Sequence, residues 1–184
     1  MKCKYPVILN KDTAVGCGRC VSCTINKRRE WTNRIVLEAA QYEDNCYATL
    51  TYSDKELPED GCVSKREVQL FMKKLRKAFE NDLRFFAVGE YGERTNRPHY
   101  HIMLFNFPSC MWGITRPRKT CCAVCSFVAK VWGKGHVHLG TVTPESATYV
   151  SQYVTKGWWK ENPLDLEPEF TLKSMRPGIR SEER

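Results

Sequence analysis

At 184 residues, with 42% hydrophobic and 27% charged residues, the chain has the size and composition of one globular domain with a proper core. That excludes a disulfide-stapled mini-protein, and no run approaches the roughly 18 uninterrupted apolar residues of a helical membrane span. The 29 Lys and Arg exceed the 21 Asp and Glu to give a net charge of +8, which suggests a polyanionic partner but does not identify it.

Met1 to Asn10 is short and mixed, without the zones of a secretory signal, so the protein is expected in the cytosol with reduced thiols. Ten cysteines are more than a reduced domain needs for packing, and their spacing suggests metal. Cys17-x2-Cys20-x2-Cys23 offers three thiolates on a Gly-containing loop, and Cys3 can fold back as the fourth ligand of a tetrahedral structural Zn²⁺. Free thiols in a flexible segment are the plainer alternative. Such a site would present Arg19, Lys27, Arg28 and Arg29 to DNA phosphates.

Residues 24 to 44 are expected to be helical, with Trp31, Ile35, Ala39 and Tyr42 on one face. Cys46 to Ser53 is rich in aromatic and β-branched residues and is expected to be a strand, beside which Cys46 packs. Ser64 and Glu67 form a capping-box pattern ahead of an amphipathic helix that runs to about Glu80, with Val68, Phe71, Met72, Leu75 and Phe79 on its core face. Leu83 to Tyr91 and His99 to Phe107 are expected to pair as an antiparallel hairpin across Gly92 to Pro98. Residues 108 to 134 are expected to be an irregular, Cys-containing insertion. Within it Cys110, Cys121, Cys122 and Cys125 offer a second zinc site, although only Cys122-x2-Cys125 has standard spacing. Gly135 to Val142 reads as a strand, and Thr143-Pro144 as the N-cap and first turn of a helix to about 157. From Glu161 the chain is Pro-rich, charged and weakly patterned.

The expected architecture is α+β, with a mainly antiparallel central sheet and flanking helices. It forms one domain over residues 1–160, with a Cys-rich zinc loop at 1–24, the insertion at 108–134 and an irregular tail at 161–184.

His99 and His101 lie two apart on a strand, so both imidazoles project from one face about 7 Å apart along the backbone. Glu90, nine residues earlier, falls on the partner strand, where pairing can complete two histidines and one carboxylate around a metal with open positions. Alternating histidines on a solvated strand face are the plainer reading. His136 and His138 repeat the pattern without an obvious neighbouring carboxylate. In the last helix Tyr149, Tyr153 and Lys156 share a face at i, i+4 and i+7. Tyrosines at such spacing also commonly pack into a core. A phenol of pKa near 10 is a weak nucleophile unless a cation or base lies near it.

Tyr47 to Tyr52, then Val88-Gly89-Glu90-Tyr91-Gly92 leading to Arg97-Pro98-His99-Tyr100-His101, then Tyr149-x3-Tyr153-x2-Lys156, resemble the three ordered motifs of HUH endonucleases, the rolling-circle replication initiators. With Gly18-Arg19-Cys20-x2-Cys23, they are similar to the initiators of the gokushovirus branch of the Microviridae, over roughly residues 1 to 180. The resemblance implies a ferredoxin-like HUH endonuclease domain in which His99, His101 and Glu90 hold Mg²⁺ or Mn²⁺. It implies a bacteriophage enzyme that nicks and rejoins a single-stranded DNA origin through a 5′-phosphotyrosine, in the cytoplasm of a host bacterium and away from membranes. Tyr153, by its spacing from Lys156, is the expected first nucleophile, with Tyr149 as its alternate; Lys156 steadies the phenolate or phosphate, and Arg97 joins the DNA contacts. No Gly-x4-Gly-Lys-Ser/Thr loop follows Lys156, so unwinding is expected from a host helicase working with the host polymerase. Two alternatives remain: a non-catalytic, zinc-stabilised single-stranded DNA-binding module, and a transposase or relaxase that shares the chemistry. Trp158 and Trp159, and the basic residues Arg116, Arg118 and Lys119, fit base stacking and phosphate contact or a solvated surface equally well.

Overall fold

The computed structural model describes residues 1–10, 13–79, 82–115, 121–156, 166–175 and 178–179, with the side chain of Lys156 outside that description. Arg116, Arg118, Lys119, Trp158 and Trp159 also lie outside the described residues.

In chain order the elements are β1 (Val7–Asn10), β2 (Thr13–Val15), α1 (Val21–Ala39), β3 (Asn45–Thr51), α2 (Lys65–Ala78), β4 (Arg84–Tyr91), β5 (Pro98–Phe105), α3 (Ala123–Trp132), β6 (Val137–Thr141), α4 (Pro144–Ser151), α5 (Tyr153–Lys156) and β7 (Phe170–Lys173). Five strands form one antiparallel sheet in the order β6-β3-β5-β4-β7, as the α+β reading requires, and β1 and β2 form a separate ribbon.

The period of two along each strand sorts the side chains into two layers. Leu50, Ala87, Tyr100, Ile102, Leu104 and Leu139 face α2 and α3, which close over them with Val68, Phe71, Leu75, Val128 and Trp132. Phe86, Val88, Met103 and Phe105 face the other way, against Trp31 and Ile35 of α1 and Ala147 and Val150 of α4. This second apolar layer gives way to polar residues as β4 and β5 approach their shared hairpin. There the same alternation sets Glu90, His99 and His101 on the α1 and α4 side.

Buried within this layer, Arg84 of β4 donates to Glu38 of α1, and its Nη2 donates to the Gly178 carbonyl at 3.1 Å. Together with Ile179, which is buried in the same cluster, the contact draws the C-terminal segment onto the sheet.

Several expectations change. The tail expected to be irregular supplies β7, the sheet's edge strand beside β4, so the domain extends past residue 160. Its four residues are too short a pattern to stand out among prolines and charges. Within the expected irregular insertion, Cys125, Val128 and Trp132 form the buried stripe of α3, which ends at Gly133 in the left-handed region at φ 66. The Cys-rich N-terminal loop contains the β1–β2 ribbon, and α1 begins at Val21 and ends at Ala39 rather than spanning 24 to 44. Ser64 is the N-cap of α2 but makes no side-chain capping bond; its backbone N–H donates to the Tyr100 hydroxyl at 3.0 Å. The last helix is divided at Gln152 into α4 and α5. The expected faces of α1 and α2 and the buried Cys46 match the structure.

Candidate active site and metal centres

The β4–β5 register sets Glu90 directly opposite His99, and Val88 opposite His101. Glu90 Oε1 lies 2.6 Å from His99 Nε2 and 2.7 Å from His101 Nε2, with the two imidazoles edge to face at 5.1 Å between centroids. Glu90 is 2% and His101 6% exposed, so the cluster is largely screened from water.

The far side of each ring is also held. His99 Nδ1 lies 3.1 Å from the Arg97 carbonyl, which can only accept, so Nδ1 carries the proton. Neutral His99 therefore turns the Nε2 lone pair toward a carboxylate oxygen, an arrangement of two acceptors that requires a cation between them. Either a second ring proton or a bound divalent metal meets that requirement, and two histidines with one carboxylate are a suitable donor set. His101 Nδ1 lies 2.7 Å from Tyr47 Oη and 3.1 Å from Thr49 Oγ1, and the Tyr47 ring stacks on the imidazole at 5.7 Å. Tyr47 and Thr49 are functional neighbours that strand patterning alone does not reveal, because they meet His101 across more than fifty residues of sequence.

Burial opposes ionisation of Glu90. Hydrogen bonds from His101, His99 and Tyr153 outweigh that cost and draw its pKa down from 4.5 to about 2.

Helix α4 begins with a reciprocal capping box: the Thr143 side chain accepts from Ser146 N–H, Ser146 Oγ accepts from Thr143 N–H, and Pro144 occupies the first turn. Ala147 and Val150 take its core face. Polar ties to α1 fix its position, with Thr32 Oγ1 2.8 Å from Ser151 Oγ and Arg28 Nε donating to Thr155 Oγ1 at 2.8 Å. Tyr149 is thereby aimed at the histidines. Its hydroxyl reaches Glu90 Oε1 at 3.5 Å and its ring meets His101 edge-on at 5.2 Å. Tyr153 stacks on His101 at 6.3 Å and donates to the Tyr149 hydroxyl at 3.0 Å. Burial raises the pKa of both phenols, and the Glu90 carboxylate adds to the effect. Lys156 closes α5, but its side chain lies outside the described residues.

The other expected contacts divide. Arg19 and Arg29 are exposed. Lys27 pairs with Glu30 at 3.1 Å. Arg97 is committed to Asp54 at 2.7 Å and to the Tyr52 carbonyl at 3.0 Å, which ties the hairpin to the end of β3. His138 is exposed on β6 opposite Thr49, on the same face of the sheet as His101 but two strands away.

None of the ten cysteines forms a disulfide. Cys3, Cys17, Cys20 and Cys23 bring their sulfurs within 4.8 Å of one another, as the spacing anticipates, with Cys3 and Cys20 at 3.8 Å. Backbone N–H groups of Tyr5 and Cys17 point to Cys3 Sγ at 3.3 Å, and that of Cys20 points to Cys17 Sγ at 3.4 Å. The N–H groups of Lys4 and Cys23 draw the Cys20 thiol down to about 6, so the loop favours a thiolate before any ion binds. In the insertion, Cys121 joins Cys110, Cys122 and Cys125.

The family model of the replication-associated protein ORF2 matches residues 45–158. Among curated proteins, the chain is 32% identical to the replication-associated protein ORF2 of Spiroplasma virus 4, over 91% of this chain and 56% of that protein. It is 31% identical to the replication-associated protein VP4 of Bdellovibrio phage phiMH2K, over 78% of this chain and 48% of the relative. For the replication-associated protein ORF4 of Chlamydia phage 1 the identity is 25%, over 76% and 37%. The chain thus spans about half the length of the first two relatives. No solved structure matches it.

Proposed function

Since the chain belongs to the replication-associated protein ORF2 family, we propose that it carries the nicking and rejoining centre of a phage replication initiator. The reaction is rolling-circle initiation on single-stranded origin DNA. The observation that carries this reading is the meeting of two tyrosine hydroxyls with the Glu90, His99 and His101 set on one face of the sheet.

Glu90, His99 and His101 would hold Mg²⁺ or Mn²⁺, whose charge offsets that of the scissile phosphate. Tyr149 Oη attacks phosphorus, the P–O3′ bond breaks, and a 5′-phosphotyrosine forms. The phenol proton leaves to the solvent open to Tyr149, and the departing 3′ oxygen takes up a proton to become the priming hydroxyl. The energy of the phosphodiester is kept in the new ester, so a later attack by a 3′-hydroxyl restores the DNA and frees the tyrosine. Tyr149 is 42% exposed against 8% for Tyr153, which favours Tyr149 for the first attack. Tyr153, favoured by its spacing from Lys156, then serves the second transfer, and Lys156 steadies the phenolate or phosphate.

Arg19, Arg28 and Arg29, together with Lys27, line the approach for the strand's phosphates, while Arg97 shapes the site through Asp54. Zn²⁺ at Cys3, Cys17, Cys20 and Cys23 fixes the N-terminal loop beside α1 and takes no part in the chemistry. Host helicase and polymerase complete the reaction cycle in the bacterial cytoplasm. Among the described residues, no helix is long and apolar enough to cross a membrane.

The test is a denaturing-gel assay for a covalent protein–DNA adduct with single-stranded circular or pooled oligonucleotide DNA and Mn²⁺. A metal-dependent adduct that disappears in the Tyr149→Phe/Tyr153→Phe double variant is expected. A folded, DNA-binding protein that forms no adduct would instead be a non-catalytic binding module.

A further inference from the structure

The connection from β5 to α3 brings together four cysteines that the nicking chemistry does not use. Cys110 starts a turn closed by the Gly113 N–H, which donates to the Cys110 carbonyl at 2.8 Å with Gly113 at φ 76. Cys122 is the extended N-cap residue of α3, and Cys125 lies in the helix's first turn. Cys110 Sγ is 3.4 Å from Cys121 Sγ and 4.0 Å from Cys122 Sγ, and Cys122 Sγ is 3.5 Å from Cys125 Sγ. Four thiolates at about 2.3 Å from a tetrahedral zinc ion are about 3.8 Å apart, so these separations suit a shared metal. A disulfide needs about 2.05 Å.

We propose that Cys110, Cys121, Cys122 and Cys125 hold a second structural zinc ion, which clamps the insertion onto the β6 edge of the sheet. The four thiols lose four protons on binding and no redox change occurs. The edge is the reason for a clamp. Strand β6 ends the sheet, and an open edge presents unpaired backbone groups. The segment just after Cys110 covers it: Ile114 bridges Gly140, Thr115 N–H donates to the Leu139 carbonyl at 2.8 Å, and Leu139 N–H donates to Thr115 Oγ1 at 2.7 Å. Thr115 Oγ1 also lies 3.4 Å from Cys125 Sγ, so the edge cover and the helix start converge on the thiol cluster.

The site sits where apolar packing would otherwise have to order a loop. Cys110 and Cys125 are 2% and 6% exposed, and beyond them α3 packs Val128 and Trp132 against the sheet. Trp132 Nε1 donates to the Thr51 carbonyl at 2.9 Å, and Thr51 is the cross-strand neighbour of His99. The clamp therefore braces the end of β3 beside the histidine pair from the opposite side of the sheet.

Zinc per chain, measured on the full protein purified under reducing conditions, tests the assignment without reference to DNA cleavage. Two zinc ions per chain are expected. One should remain in Cys110→Ser or Cys125→Ser, one in Cys20→Ser, none in the Cys20→Ser/Cys125→Ser double variant, and two in Cys62→Ser. If the serine variants fail to fold, differential alkylation of the native chain decides. Cys110, Cys121, Cys122 and Cys125 should be protected with zinc bound and labelled after chelation. For the clamp, hydrogen exchange of the Thr115 and Leu139 amides should rise at least about tenfold when this site is emptied. A single zinc that vanishes in Cys20→Ser, a disulfide among the four, or labelling unaffected by chelation would overturn the site. Unchanged exchange at Thr115 and Leu139 would overturn the clamp.

Discussion

The Tyr153 hydroxyl donates to the Tyr149 hydroxyl over 3.0 Å, so two phenols that differ greatly in exposure share one polar chain ending on Glu90. The arrangement gives the two residues distinguishable roles. Tyr149→Phe should lower first-strand adduct formation by ~10⁴-fold, the scale of losing a nucleophile. Tyr153→Phe should leave a first adduct detectable but block release of closed circles. Single-turnover assays that quantify adduct and circle separately check this, and an adduct lost only in Tyr153→Phe would reverse the order.

His101 depends on Tyr47 and Thr49 for its orientation, since both oxygens meet its Nδ1 while Nε2 faces Glu90. Outer partners of metal-bound histidines typically account for about 10–100-fold in affinity. Tyr47→Phe should weaken Mn²⁺ binding toward the lower end of that range, because Thr49 remains as an acceptor. Tyr47→Phe/Thr49→Val should reach the upper end. Calorimetric or spin-resonance titration with Mn²⁺ measures both, and circular dichroism should show an unchanged fold.

The Glu90 carboxyl gives the metal-free protein an acid-sensitive element. Folding lowers its pKa from 4.5 to about 2, so its stabilisation is fully present above about 4.5 and fades as pH falls toward 2. The difference corresponds to about 3 kcal/mol at most. Urea denaturation of the apoprotein should therefore show stability falling steeply below pH 4.5. In Glu90→Gln that limb should be shallower, and an identical limb would mean that other carboxyls govern acid unfolding.

The chemistry-bearing residues were legible because their relationships are short in sequence. Glu90, His99 and His101 belong to one hairpin whose register follows from the period of two, and Tyr149 and Tyr153 belong to one helical face. Cys17, Cys20 and Cys23 are likewise local. The remaining features depend on distant partners. Tyr47 reaches His101 only through β3–β5 pairing, and Cys121 joins its cluster only after the insertion folds back on Cys110. Strand β7 has four residues and no hairpin partner near it in sequence, so nothing in its own composition marks it as part of the sheet. Helix α3 was obscured by the cysteines that interrupt its apolar pattern.

The motif glycine Gly89 gains a physical reason from β7. It pairs with Phe170, and a Cβ at position 89 would stand 2.6 Å from Phe170 Cε1. Gly89 lies next to Glu90 on the opposite face, so its side is occupied by the Phe170 ring while Glu90 faces the histidines. Gly89→Ala should therefore force the ring outward and cost about 1–3 kcal/mol, the usual range for overpacking. Phe170→Leu should cost stability alone, by loss of aromatic contact, but should recover much of the Gly89→Ala loss when the two are combined. Denaturant midpoints for the two single variants and the double variant give the coupling, and strict additivity would show that Phe170 does not pack on Gly89.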